Sequence, residues 1–165
     1  PNCRYVTFKD GYAYVSSYVG SVADTGSSPL GSIYKVDTLT LQKTDSCSVG
    51  YQPEEVAIIG NQLFVANSGG YQGMTGQGYE STVSVVDLNT MQETDKIVVA
   101  PNLHRLRADK YDQLWVTARG NPENKLTIKR LYHILRRHAR IFLQFYLTND
   151  QFVSGRPEKI ILNTY

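Results

Sequence analysis

From residue 54 to residue 100 the chain alternates short apolar runs with turn residues, which is the pattern of strands rather than helices. Four strands are predicted, at 54–59 (Glu-Glu-Val-Ala-Ile-Ile), 62–67, 82–88 and 94–100. Gly60-Asn61 reads as a two-residue hairpin connection, because both residue types tolerate positive φ, and Asn89-Thr90 serves a later turn. Residues 1–10 match the first of these strands, with Val6 and Phe8 falling where Val56 and Ile58 fall.

The strand pattern is periodic. Residues 11–60 laid over 61–110 without a gap agree at eleven of fifty positions, among them Val15/Val65, Val36/Val86, Asp37/Asp87, Thr40/Thr90, Gln42/Gln92, Thr44/Thr94, Asp45/Asp95 and Val49/Val99. A third start, Gln113-Leu-Trp-Val-Thr117, repeats Gln62-Leu-Phe-Val-Ala66 with one residue added. Four short strands per repeat of this period is the composition of a propeller blade and not of a helical solenoid. The expected fold is therefore mainly β: a partial β-propeller of two four-stranded antiparallel blades plus the start of a third, with a C-terminal basic helix. The expected layout is residues 1–120 for the blades (repeats 11–60 and 61–110, third start 111–120) and 121–165 for a non-repeat tail.

The segment Val49-Gly-Tyr-Gln-Pro53, then Val56-Ala-Ile, Leu63-Phe-Val-Ala-Asn67 and Val83-Ser-Val-Val-Asp87, resembles the YVTN family of bacterial β-propellers. The family's tetrapeptide stands here as Tyr14-Val-Ser-Ser17, Phe64-Val-Ala-Asn67 and Trp115-Val-Thr-Ala118. The resemblance covers residues 1–120. It implies a secreted bacterial protein, located at the cell surface, outside the cell or in the periplasm and similar to lipoprotein propellers, and it is nearly silent on activity. It also implies that the strand beginning near Pro53 is innermost. The Val49–Pro53 turn and the long loop after Asn67 would then share one rim.

Charge and composition divide the chain. Residues 1–120 carry 9 Lys/Arg against 12 Asp/Glu, whereas residues 121–165 carry 8 against 3, and twelve of the thirteen glycines lie at or before Gly120. The formal net charge of +2 by itself points to neither a nucleic-acid nor an acidic partner. Cys3 and Cys47 are too few for a disulfide framework and match no metal motif, so buried thiols are expected. A start at Pro1 without Met or a signal-like apolar stretch reads as a fragment or a processed product.

Two sets of residues are candidates for ligand binding. Tyr18, Tyr51, Tyr71 and Tyr79, in or beside the Gly-rich loops, offer stacking faces and hydroxyls to a sugar or peptide, although the same residues also suit local packing of a surface loop. Arg4, Glu54 and His104 occupy one repeat position near the mouth of a channel, with Tyr5, Glu55 and Arg105 next to them and Arg119 at the matching rim of the third unit. Strand-start charges on successive inner strands can converge on one polar ligand; they can equally be solvated or joined in salt bridges.

Catalytic signatures are absent from the sequence: no nucleophile elbow, no phosphate-cradling loop followed by Lys-Ser/Thr, no His-Glu-x-x-His and no Asp-x-Asp-x-Asp calcium loop. His133 and His138 are five apart, off a common helical face. No catalytic residue, metal site or cofactor is therefore expected, and the chain reads as a binding or scaffolding segment, not an enzyme. The alternative is a fragment of a propeller enzyme of lyase, lactonase or dehydrogenase type, with its catalytic residues elsewhere.

Residues 126–147 break the repeat. Ile128, Leu131, Leu135, Phe142 and Phe145 approximate helical spacing, with Lys129, His133, Arg136, Arg137 and Arg140 largely on another side, so a basic amphipathic helix is predicted. Three origins remain open: a helix covering an exposed blade edge, a basic arm for nucleic acid or a membrane surface, or residues foreign to the propeller, as after a shifted reading frame. Two blades and a fraction do not close a propeller. The expected partners are a protein, peptide or carbohydrate at the loop face, and other copies through open blade edges. Nucleic acid or membrane enters only if the tail is functional.

Overall fold

A computed structural model describes residues 2–19, 29–70 and 80–119 together with the strands at 127–132 and 142–146. The described residues form twelve strands in three four-stranded antiparallel sheets. The first sheet holds β1 (Asn2–Lys9), β2 (Tyr12–Tyr18), β3 (Ser32–Asp37) and β4 (Lys43–Ser48), in chain order. The second holds β5 (Pro53–Ile59), β6 (Gln62–Asn67), β7 (Thr82–Asp87) and β8 (Gln92–Val98). The third holds β9 (Leu103–Ala108), β10 (Gln113–Ala118), β11 (Thr127–Tyr132) and β12 (Phe142–Tyr146). β5 lies between β1 and β9, so the first strands of the three sheets are neighbours.

The expected strands of the second repeat match the structure to within about two residues at their ends. The repeat identities cluster in the hairpin that joins the third and fourth strands of a sheet, and each does the same job twice. Asp37 accepts the backbone N–H of Leu39 and of Thr40, both at 2.8 Å. Asp87 accepts those of Asn89 and Thr90 at 2.7 and 3.2 Å. This is a side chain standing in for backbone in a tight turn. Thr44 and Thr94 donate to the carbonyls of Lys35 and Val85, at 3.3 and 3.2 Å. Positive φ recurs at the same spacing: Leu41 (58°) with Met91 (51°), and Gln52 (51°) with Asn102 (56°). The backbone therefore repeats even where the side chains do not. At the β1–β2 hairpin Asp10 and Gly11 have φ of 49° and 79°, and Gly60 takes 57° at the equivalent β5–β6 turn.

Two apolar layers hold the three sheets together. Tyr14, Ile33, Cys47 and Val49 of the first sheet and the β4–β5 link pack on Val56, Leu63, Val65, Val86, Leu88 and Met91. On the other side of the second sheet, Ala57, Phe64, Ala66, Val83 and Val85 pack on Leu103, Leu106, Leu114, Val116 and Ala118. The middle sheet is thus covered on both faces, which is why Leu63-Phe-Val-Ala66 is continuously apolar. β10 alternates buried and half-buried residues along Gln113–Ala118, as a strand with one covered face does.

The C-terminal segment departs from the predicted helix. Within 126–147, Thr127–Tyr132 and Phe142–Tyr146 are strands, and 133–141 lies outside the described residues. β11 pairs with β10 from Gln113↔Tyr132 to Ala118↔Thr127, and β12 pairs with β11. The third unit, expected only as a start, is a four-stranded sheet. The physical reason is the edge of β10. Its unpaired N–H and C=O groups reward any adjacent extended segment, and a helical apolar spacing of this low regularity does not outweigh a ladder of backbone hydrogen bonds. Cys47 is buried as expected, whereas Cys3 is exposed.

Candidate functional site

The N-terminal ends of β1, β5 and β9 bring Arg4, Glu54 and His104 to one end of the three sheets, because each strand begins at the same point of the repeat. Glu54 is buried, with 7% of its surface exposed. Its Oε2 accepts from Nε and Nη2 of Arg4, each at 3.3 Å, and its Oε1 accepts from the Tyr18 hydroxyl. The Arg4 guanidinium also stands 5.0 Å from the centre of the Tyr18 ring. A positive group over an aromatic face, with both tied to one carboxylate, makes a closed cluster from three elements. Ser16 supports it from below: its hydroxyl donates to the Glu54 carbonyl at 2.7 Å and accepts from the Tyr5 N–H at 3.1 Å. Burial first, and then the hydrogen bond to Glu54 and its charge, push the Tyr18 phenol well above its ordinary pKa, with Arg4 opposing.

His104 and Arg119 form a second pair, with His104 Nε2 3.1 Å from Arg119 Nη2. A guanidinium only donates, so Nε2 is the acceptor and the imidazole is neutral with its proton on Nδ1. Burial and then the Arg119 charge hold the His104 pKa below its ordinary value, with Glu54 opposing. Arg105 completes the set, with Nη1 3.8 Å from Glu55 Oε1 and its guanidinium 5.9 Å from the centre of the Tyr5 ring.

Of the residues singled out in the sequence, Arg4, Glu54, Tyr18, His104, Arg105 and Arg119 are thus joined in short-range pairs at one end of the sheets. Tyr51 is half-buried in the link before β5, and its carbonyl accepts from the Gly69 N–H at 3.1 Å. Tyr71 and Tyr79 lie outside the described residues. Three further participants complete the cluster: Glu55, which the register places beside Glu54, and Ser16 and Arg107, which were not singled out in the sequence. Glu55, buried, accepts the Leu106 N–H at 2.9 Å and the Arg107 guanidinium, so it ties the second sheet to the third. Ser16 carries no chemical signature in the sequence; only its position behind Glu54 identifies it. Arg107 sits two residues beyond Arg105 on the same strand, a period-two signal that was legible in principle.

Among the described residues no group of three or more His, Cys, Asp or Glu is placed to hold a metal ion. No protein-family model matches the chain, and no curated protein matches it. Among solved structures, a chain of an assembly described as an S. cerevisiae Dbp5 variant bound to Nup159, a Gle1 variant, IP6 and ADP is similar with a TM-score of 0.48. The identity is 16%, over 90% of this chain and 32% of that one, so this chain spans about a third of the length of the chain it matches.

Proposed function

We propose that this chain is a segment of a β-propeller that binds or scaffolds rather than catalyses, in a secreted or surface-located bacterial protein, and that its contact face is the rim carrying Arg4, Tyr18, Glu54, His104 and Arg119. The observation that carries this reading is the recurrence of one strand-start position, residues 4, 54 and 104, on three neighbouring first strands. Four-stranded antiparallel sheets that pack face to face with their first strands adjacent are what radial repetition of a blade requires. The likeness of residues 1–120 to YVTN repeats supports the same reading and supplies the location.

The charges at this rim are largely paired with one another, which favours recognition by a preformed surface over acid–base chemistry. Polar groups held by neighbours can hydrogen-bond a sugar or a peptide backbone without reorganising. The test is titration of the chain with peptidoglycan fragments, chitooligosaccharides and short peptides, followed by amide NMR shifts. The reading expects saturable shifts centred on Arg4, Tyr18, Glu54 and His104 with at least one probe, weakened by Glu54→Gln. Shifts confined to residues 127–165, or binding indifferent to Glu54→Gln, would overturn it.

A further inference from the structure

The pairing of the first two strands slips at one point in all three sheets. Cys3 faces Ser17 and Tyr5 faces Ser16, so β1 carries one extra residue at Arg4. Leu103 faces Ala118 and Arg105 faces Thr117, so β9 carries one at His104. In β5 the slip lies between Pro53, opposite Asn67, and Val56, opposite Val65, which leaves Glu54 and Glu55 against the single residue Ala66. A bulge interrupts the alternation of side chains and re-aims the residues it contains. Its recurrence at one repeat position explains how consecutive residues of each first strand reach the same cluster: Arg4 and Tyr5, Glu54 and Glu55, His104 and Arg105.

The charges of this cluster do not balance. Arg4, Arg105, Arg107 and Arg119 stand with only Glu54 and Glu55, and the neutral imidazole of His104 adds nothing, so positive charge is in excess. The donors do not balance either, because a guanidinium carries five N–H groups. Arg4 donates twice, both times to Glu54, and among the described residues Arg119 meets only His104. Arg105 stands 3.8 Å from Glu55, beyond hydrogen-bond reach, with its side chain 50% exposed. Both carboxylates are already engaged, Glu54 by Arg4 and Tyr18 and Glu55 by Arg107 and the Leu106 N–H. Arg105 and the exposed Arg119 therefore keep most of their donors uncommitted.

We propose that the rim takes its ligand by a carboxylate, received by the guanidiniums of Arg105 and Arg119 beside His104. The inference rests on the reading of this rim as the contact face and names the chemistry of what it contacts. A carboxylate offers two coplanar oxygens to the paired N–H groups of a guanidinium, and it neutralises the excess charge without unmaking a pair already in place. A peptide C-terminus and an acidic sugar both carry the group. His104 couples the binding to pH. Burial and then Arg119 hold it neutral, with Arg105 acting in the same sense and Glu54 and Glu55 opposing. A bound anion adds to the opposing side, so the imidazole takes up a proton more readily in the complex and binding tightens as the pH falls. Once protonated, Nε2 no longer accepts from Arg119, and both groups donate to the anion.

The test uses probes that differ only at the carboxylate: N-acetylmuramic acid against its methyl ester, and N-acetyl-trialanine against its C-terminal amide. Binding is read by NMR at the arginine Nε–Hε groups and the His104 ring, with circular dichroism to establish that each variant keeps its strands. At least one acid is expected to shift Arg105 and Arg119 saturably and to move the His104 titration toward higher pH, and the tighter of the two acids identifies the source. Its neutral counterpart, and the acid with Arg105→Gln or Arg119→Gln, are each expected to bind about tenfold or more weakly, the scale of one charge-assisted hydrogen bond. Neutral probes that bind the same residues as tightly overturn the carboxylate and leave the rim as the contact face. Acid binding that survives both substitutions, or that leaves the His104 titration in place, overturns it as well. Probes that shift nothing at the rim overturn it together with the reading on which it rests.

Discussion

The guanidinium of Arg4 lies 3.3 Å from the carboxylate of Glu54, and the two residues stand one repeat apart at the same position of successive first strands. A position that in a simple repeat would be occupied by like residues holds opposite charges here. The pair joins the first sheet to the second where the strands begin, and Tyr18 closes it from the end of β2.

Removing one partner separates the worth of the pair from the cost of leaving Glu54 unpaired. Arg4→Met strips the buried carboxylate of its cation while Tyr18 still donates to it. Because the Arg4 side chain is itself 37% exposed, the expected loss is about 1–2 kcal/mol, below the range of fully buried pairs. Glu54→Gln keeps the shape and an acceptor for Tyr18, and is expected to cost about 1 kcal/mol. Urea midpoints for both single variants and the double variant, at unchanged m, give the coupling. A double variant no less stable than Glu54→Gln is expected, since Arg4 then has no charge to answer.

The rim titrates on both sides of neutrality. His104 is held neutral by burial and by Arg119, so its folded pKa lies below the unfolded value of about 6.5. Its contribution to stability is whole above the unfolded pKa and is lost as the pH falls through the folded one. Arg119→Gln removes one of the causes and should move the His104 imidazole titration, read by NMR, toward higher pH. Tyr18 has the opposite sign. Its raised pKa makes its contribution whole below about 10, the unfolded value, and lost as the pH rises further. Tyr18→Phe should flatten the alkaline limb of Tm against pH and leave the acid limb in place.

Gly50 is required by space. A Cβ there would sit 2.6 Å from the Asn67 amide, a fully buried group whose Nδ2 donates to Thr82 at 3.1 Å and Ser84 at 2.7 Å. The amide cannot retreat without breaking those bonds. Gly50→Ala is therefore expected to destabilise by about 1–3 kcal/mol, the cost of overpacking, with a lower denaturation midpoint as the measurement. Gly31→Ala meets the Pro53 ring at 2.1 Å and should behave alike.

Leu41 and Met91 share a repeat position and a positive φ but differ in burial, so glycine should act on them with opposite signs. Leu41 is exposed, and Leu41→Gly relieves the left-handed conformation without losing internal packing; a gain of about 0.5–1 kcal/mol is expected. Met91 is buried between the first two sheets, and Met91→Gly should cost about 2–4 kcal/mol, because the lost side chain outweighs the relief. Thermal melts of the two variants side by side check the sign.

The strands of the second repeat were legible because short apolar, β-branched runs and the turn residues that bound them, Gly60-Asn61 and Asp87 to Thr90, are local signals. The equivalence of residues 4, 54 and 104 was legible too, since a fixed register needs only counting. The pairing was not. That Arg4 takes Glu54 while His104 takes Arg119, and that Glu55 bonds the Leu106 backbone, depends on which sheets pack together and at what angle. Ser16 was invisible for the same reason, as one serine among many until the Glu54 carbonyl arrives above it.

The C-terminal segment marks the limit most plainly. Residues 127–132 have a composition that suits a basic helix as well as a strand, and local propensity does not choose between them. The choice belongs to the open edge of β10, which exists only once the third sheet has begun to form and which pairs Gln113 through Ala118 with whatever extended chain reaches it. What the sequence determined by itself is the repeat: strand lengths, turn chemistry and the spacing of positive φ, all set by interactions within a few residues. What only the tertiary structure decided is which charges meet, which apolar faces are covered, and that residues 127–132 and 142–146 are strands, because each depends on a surface supplied by residues distant in the chain.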